Sequence, residues 1–390
     1  MAAFKQKLFA FYLGVMKWGC KLIPTKPNTV TILNGAGLSG SNAMGFYQYL
    51  KTEHPELTVN LISGFPSAHL AFSTWRQIAQ AKVLVGTHWP FKIHRGQRFV
   101  QLWHGIPLKR MGYLALNEDP AAQEKSHRYW WRNVDYLASS GPLYDTLMSA
   151  CQGLAAHQFL HTGFPRNDEF QLPEATLKER RATLAGLFAD GVVTDQTKIF
   201  FYLPTFRMED GATELSVQLK TGNIFGLSDF AMAAFEQQLA DNNIVILAKL
   251  HPVEERQVDP AKFATAQRLK VLTNDWFIDQ HTELYQFLAA TDGLITDYSS
   301  VYLDYLLLDR PIVFNVPDLA HYEQTRGFLL APYDDYTPGP KTTTTAELVQ
   351  ALTRDSQADA PLRAKLRGQM YPQGLNPACP QVYDQIKGWL

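Results

Sequence analysis

Gly293-Leu294-Ile295-Thr296-Asp297-Tyr298-Ser299-Ser300-Val301-Tyr302-Leu303-Asp304-Tyr305 passes from a short apolar run through a polar turn into a second apolar run. The first run, Gly293 to Thr296, reads as a buried strand, and the chain turns at Asp297 and Tyr298 into a helix opened by Ser299 and Ser300. A further strand, Ile312 to Phe314, follows. The unit is strand, turn, helix, strand. It repeats along the whole chain.

Outward from it, Lys198 to Leu203, Ile244 to Lys249 and Lys270 to Leu272 read as strands of the same half. An earlier series runs Thr29 to Leu33, Leu57 to Ile62, Val83 to Gly86, Phe99 to Trp103 and Val134 to Ala138, with helices around Asn42 to Lys51 and Leu70 to Gln80. A polar, Ala-rich helical stretch, Pro173 to Asp190, separates the two series. Two successive βα series predict an α/β protein with two doubly wound parallel sheets, whose ligands belong at the carboxyl ends of the strands. The last helix, Gln381 to Leu390, has no strand partner in this scheme and is expected to pack across the domain junction. Thr342 to Thr345 reads as a loop.

The chain of 390 residues is long enough for two domains of ~100–200 residues each. Lys and Arg number 36 against 37 Asp and Glu, so no basic field points to nucleic acid. Cys20, Cys151 and Cys379 are far apart, which argues against a zinc site or a disulfide framework and fits a reducing cytoplasm. No run reaches the ~20 apolar residues of a membrane span.

Residues 1–24 need a separate account. At 100° per residue, Phe4, Leu8, Phe11, Tyr12, Val15, Trp18 and Leu22 share one face of a helix, with Gln6, Lys7, Lys17 and Lys21 opposite. Lys17 comes too early, and no small-residue cleavage site follows, for a signal peptide. Such a helix either lies in a bilayer interface with its lysines toward anionic headgroups or packs its apolar face on the protein's own body.

Several strand ends carry chemistry. Gly35-Ala36-Gly37-Leu38-Ser39-Gly40 fits the dinucleotide spacing, with Glu53 and Glu56 near the distance of a ribose-binding acid; the same glycines equally suit a tight turn near an acceptor site. Phe99 to Trp103 delivers His104 to a strand end, where Gly105 and Pro107 force a turn that leaves the imidazole outside the core. A histidine placed so can take a proton near neutral pH. Thr205, Phe206 and Arg207 end one strand of the second half; Lys249, Leu250 and His251 end the next. Hydroxyl, guanidinium, ammonium and imidazole suit a diphosphate, which needs cationic neutralisation at several points. Ser299 and Ser300 offer hydroxyls and amides to phosphate at a helix start, and Asp304, one turn on, is placed for ribose hydroxyls or a base.

Taken together, WHGIPLKRMG (from Trp103), GFPRND (from Gly163), YLPTFR (from Tyr202), KLHP (from Lys249), TDYSSVYLDYLLLDRPIVF (from Thr296) and DLAHYEQTRGF (from Asp318) resemble the CDP-glycerol:poly(glycerophosphate) glycerophosphotransferases of teichoic acid and related polymer synthesis. The resemblance runs from about Val83 to about Pro340, with the motifs in the family's order. It implies a GT-B fold: two Rossmann-like domains facing a cleft, an acceptor-side domain over 25–188 and a CDP-glycerol-binding domain over 189–390. It also implies transfer of glycerol phosphate from CDP-glycerol to a hydroxyl, with release of CMP; no carboxylate cluster for a divalent ion stands out in the sequence, and no cofactor is expected. By the family's pattern His104 is the catalytic base, and His104, Gly105, Ile106, Pro107, Leu108, Arg166, Thr205, Phe206, Lys249, Leu250, His251, Ser299, Ser300 and Asp304 line the donor site. The departing CMP would be met by His251, Lys249, Arg207 and the Ser299–Ser300 helix start, with cationic side chains in place of a metal. Ile106 replaces the family's usual Thr and Leu203 a commoner Ala, and the early loop lacks the usual wording, which leaves the acceptor open. A lipid-linked or polymeric acceptor implies work at the cytoplasmic face of the membrane, held peripherally by the N-terminal helix. The alternatives are ribitol phosphate transfer, a nucleotide-sugar glycosyltransferase of the same fold, a dinucleotide-dependent oxidoreductase and a non-catalytic membrane-bound scaffold.

Overall fold

The computed structural model describes residues 2–35, 40–63, 70–116, 118–206, 218–280 and 282–390, without the side chains of residues 2–7 and of Tyr129. Twelve strands among them form two sheets, and every pairing within each sheet is parallel. The first contains β1 (Thr29–Asn34), β2 (Thr58–Ser63), β3 (Val83–Gly86), β4 (Arg98–Gln101), β5 (Tyr136–Ala138) and β6 (Phe159–Leu160), in the order β2-β1-β3-β4-β5-β6. The second contains β7 (Lys198–Leu203), β8 (Ile244–Ala248), β9 (Leu269–Val271), β10 (Gly293–Thr296), β11 (Ile312–Asn315) and β12 (Lys341–Thr342), in the order β12-β11-β10-β7-β8-β9. In each, the strand order reverses once: between β1 and β3 in the first sheet, between β7 and β10 in the second. Ligands of open α/β sheets bind outside the carboxyl ends of the strands at such a reversal.

By contacts the chain divides into one unit of Met1–His104, Glu118–Asp168 and Asn376–Leu390 and another of Gly105–Asn117 and Glu169–Leu375. The helix Glu174–Ala185 goes with the second because Arg181 donates to Asp292 at 2.9 Å and to the Thr197 carbonyl at 2.7 Å.

Both faces of the first sheet are buried, which is why its strands read as apolar runs rather than as alternation. Val30, Ile32, Val83, Val85, Val100 and Leu102 point to one face, covered by Phe46 and Leu50 of the helix Asn42–Glu53 and by Val382 and Ile386 of the helix Ala378–Ile386. Leu33, Leu84 and Phe99 point to the other, covered by Trp75 and Ile78 and by Leu13 and Cys20 of the N-terminal helix α1 (Ala2–Cys20).

The helix α1 is thus apolar on two sides. Its inner side includes Tyr12, which receives a hydrogen bond from the Trp75 indole at 2.9 Å. The sequence had grouped Tyr12 with the opposite face; the Trp75 partner pulls it inward. Leu8, Phe11, Val15, Trp18 and Leu22 remain exposed as a stripe. Among the described residues no helix is long and apolar enough to cross a membrane.

Candidate active site

In the first unit the polar groups gather at the reversal between β1 and β3. The helix Asn42–Glu53 is capped by Ser41, whose hydroxyl accepts from the Ala43 amide and donates to Asn34 at 2.8 Å. Asn42, fully buried, donates to the carbonyls of Leu102 at 2.9 Å and Trp103 at 3.0 Å, and accepts from the Arg166 amide at 3.1 Å. One side chain therefore fixes both the chain entering His104 and the loop carrying Arg166. Gln101 adds a second brace, its side-chain oxygen accepting from the Trp103 amide at 3.1 Å.

These braces hold an unusual turn. Trp103 has φ +54°, a left-handed conformation that costs a bulky residue ~1–3 kcal/mol, and Gly105 has φ +122°. The strand stops at Gln101, two residues before the end expected for it, and the twist that follows brings His104 to the surface. Its Nδ1 lies 3.1 Å from the Thr87 carbonyl oxygen. A carbonyl only accepts, so Nδ1 carries the hydrogen, and the neutral ring keeps its lone pair on Nε2. That is the form a general base needs.

Arg166 is buried, and its guanidinium donates to the Gly40 carbonyl at 3.1 Å. It braces the turn ahead of the helix Asn42–Glu53.

In the second unit Gly105 to Leu108 are buried. They run beside the segment from Gly327: the Leu329 amide donates to the Leu108 carbonyl at 2.8 Å and the Arg110 amide to the Gly327 carbonyl at 3.1 Å. Two motifs distant in sequence are thus one local structure.

At the reversal between β7 and β10, Thr205 donates to Asp297 from its amide at 2.8 Å and its hydroxyl at 2.7 Å. Asp297 is fully buried, and its own carbonyl accepts from the Tyr333 hydroxyl at 2.9 Å. Ser299 and Ser300 are half-buried, and neither hydroxyl has a protein partner among the described residues. The helix they open, Val301–Tyr305, has five residues before it tightens at Leu306–Leu308, so the hydroxyls offer a phosphate more than a helix dipole does. His251 is exposed, its ring 4.1 Å from that of Phe206. Its Nδ1 accepts from the Val253 amide at 3.3 Å, which leaves the hydrogen of the neutral ring on Nε2. Arg207 lies outside the described residues.

Two expected ligands are engaged elsewhere. Lys249 is buried and donates to Glu255 at 3.0 Å and to the Leu250 carbonyl at 2.8 Å, so its ammonium neutralises a carboxylate instead of facing solvent. Asp304 is fully buried and accepts from the hydroxyls of Tyr285, at 2.5 Å, and Tyr371. Both are tied into the fold of the second unit by these partners. Sequence reasoning missed Asn42, Gln101 and Asp297 as anchors; for Gln101 and Asp297 a polar side chain at a strand end was the available signal, and Asn42, at a helix start, carried none.

Two parallel six-stranded sheets, each with polar side chains at its order reversal, define a protein of two Rossmann-like α/β domains. The chain belongs to the CDP-Glycerol:Poly(glycerophosphate) glycerophosphotransferase family, which it matches over residues 46–385. It is 26% identical to the teichoic acid glycerol-phosphate transferase of Staphylococcus aureus over 72% of this chain and 69% of that protein. It is 28% identical to the teichoic acid ribitol-phosphate primase of Bacillus spizizenii over 82% of this chain and 80% of that one. The solved wall teichoic acid polymerase TagF superposes with TM-score 0.74 at 21% identity, covering 93% of this chain and 89% of that chain. The Methanocaldococcus jannaschii UDP-GlcNAc 2-epimerase superposes with TM-score 0.50 at 10% identity, over 93% of this chain and all of that one. At such identities the two structures establish the fold, and the expected α/β architecture of two Rossmann-like domains is borne out.

Proposed function

We propose that this chain, a glycerophosphotransferase by family, moves glycerol phosphate from CDP-glycerol to a hydroxyl of a lipid-linked or polymeric acceptor with His104 as the base. The observation that carries this is the hydrogen bond from His104 Nδ1 to the Thr87 carbonyl, which fixes the tautomer able to accept a proton at Nε2. The acceptor hydroxyl gives that proton to His104, and its oxygen bonds to the phosphorus bearing glycerol. The bond from that phosphorus to the CMP oxygen breaks, and CMP leaves with the electron pair. His251 Nε2–H and the Ser299 and Ser300 hydroxyls are the donors offered to the growing charge, joined by Arg207. Lys249 and Asp304 support them from behind.

Relatives that transfer glycerol phosphate and ribitol phosphate are both similar to this chain, so the test is a donor screen with a synthetic lipid-linked acceptor. CMP release from CDP-glycerol with a product one glycerol phosphate heavier supports the reading. Turnover of CDP-ribitol alone, or UDP release from a UDP-sugar, overturns it.

The exposed stripe of α1 supports work at a membrane surface. Four large apolar side chains on one side of a helix otherwise packed into the core, followed by exposed Leu22 just past its end, form a ledge suited to the interface between headgroups and acyl chains.

A further inference from the structure

We propose that His88 is a positioning residue for His104, held in place by Gly35 and Thr87 across the strand reversal of the first sheet; this rests on the reading of His104 as the base. His104 is an exposed side chain on a surface turn, a place where an imidazole ordinarily rotates freely. Here two aromatic rings stack against it. The Trp103 ring lies 4.0 Å away at 27°, and the His88 ring 4.8 Å away at 23°. The same Thr87–His88 segment supplies the carbonyl that receives His104 Nδ1–H, so the ring's plane and its tautomer are set by two adjacent residues.

His88 is itself fixed. The Thr87 hydroxyl is fully buried and accepts from the Gly35 amide at 3.3 Å, and its own hydrogen has His88 Nδ1 within reach at 3.0 Å. The Gln101 side-chain amide donates to the His88 carbonyl. A Cβ at Gly35 would lie 2.5 Å from His88 Nδ1 and 2.7 Å from its Cγ, so the first glycine of the Gly35–Gly40 run is required by this imidazole. That steric need explains a glycine otherwise suggestive of a dinucleotide. Burial holds His88 below the usual histidine range, so a neutral ring faces His104 and adds no like charge beside the imidazolium formed during transfer.

The test uses full-length protein with ¹⁵N-labelled histidine, in which two-bond ¹⁵N–¹H correlations report the tautomer of each ring. His104 is assigned by its loss in His104→Gln. Wild type should show Nδ1–H at His104. In His88→Ala the Nε2–H form should appear at His104, with kcat for CDP-glycerol falling on the order of 10- to 100-fold while KM stays within about threefold. His88→Phe, which keeps a stacked ring, should retain the tautomer and recover most of the rate. Gly35→Ala should reproduce the His88→Ala pattern by displacing the ring. An unchanged His104 tautomer in His88→Ala overturns the proposal, as does a His88→Phe variant as impaired as His88→Ala. The tautomer needs no substrate, so it still decides if the donor is something other than CDP-glycerol.

Discussion

Thr205 donates twice to one oxygen of Asp297, from its amide and from its hydroxyl, and so ties the ends of β7 and β10 together across the point where the strand order of the second sheet reverses. The buried carboxylate fixes where the Thr205 hydroxyl and Phe206 stand at the mouth of the sheet. Hydrogen bonds of this kind to a carboxylate group are worth ~1–3 kcal/mol each. Asp297→Ala should therefore lower the melting temperature and weaken CDP-glycerol binding together, whereas Thr205→Ser, which keeps both donors, should change neither by much. Calorimetry and a thermal melt read the two effects. Normal affinity in a destabilised Asp297→Ala protein would show the pair to be purely structural.

His104→Ala should reduce turnover by ~100-fold or more while CDP-glycerol affinity stays within a few-fold. The side chain is exposed, so its loss should leave the melting temperature nearly unchanged. A folded variant with undiminished kcat removes the base assignment.

The alternation of strand and helix was legible because both faces of each sheet are covered, so strands appear as runs of Val, Ile, Leu and Phe. Val83–Gly86, Lys198–Leu203 and Gly293–Thr296 fall where the runs do. The two-residue edge strands Phe159–Leu160 and Lys341–Thr342 were not legible, being too short to show any period. The threonine run read as a loop is instead the end of one strand and the cap of the next helix, where Thr344 accepts from the Glu347 amide. At the site, the motifs marked which strand ends matter. What they could not show is each side chain's partner: Glu255 for Lys249, Tyr285 and Tyr371 for Asp304, and Asn42, about 60 positions before the carbonyls it holds.

The second sheet separates ligands from supports. Ser300→Ala or His251→Ala should each weaken CDP-glycerol binding by ~1–3 kcal/mol and change stability little, since His251 is exposed and the Ser300 hydroxyl has no protein partner among the described residues. Lys249→Met should do the reverse first. It strands Glu255 without its ammonium, and breaking a buried pair costs ~3–5 kcal/mol. Glu255 also accepts from the Asn274 amide at 3.0 Å, so some carboxylate solvation survives and the lower end is expected. Paired melts and titrations of the three variants decide it; a Lys249→Met protein with wild-type stability and lost affinity would restore the lysine as a direct phosphate ligand.

The stripe of Leu8, Phe11, Val15, Trp18 and Leu22 should carry attachment to a bilayer, and the fold dictates how to test it. Deleting α1 would uncover the core it seals with Leu13 and Cys20, so a truncated chain would fail for reasons unrelated to membranes. Substitution on the outer side avoids this. Phe11 and Trp18 are 69% and 73% exposed, and Phe11→Ser with Trp18→Ser should shift stability by no more than ~0.5 kcal/mol per site. Each large apolar side chain contributes ~1.5–3 kcal/mol when fully buried, so the double variant should lose at least ~100-fold in partition to anionic vesicles. Leu13→Ser is the contrast, destabilising by ~2–5 kcal/mol through the core. Salt should matter less than the lysines Lys7, Lys17 and Lys21 would suggest. Lys17 lies over the Phe91 ring at 5.0 Å, and burial, then neighbouring Arg132, Lys21 and Lys92, push its pKa down. Exposed Lys21, just past the end of α1, is left as the described lysine best placed for headgroups. Sedimentation with anionic and neutral vesicles reads the partition. If the double variant sediments with vesicles as well as wild type does, the stripe has no part in attachment.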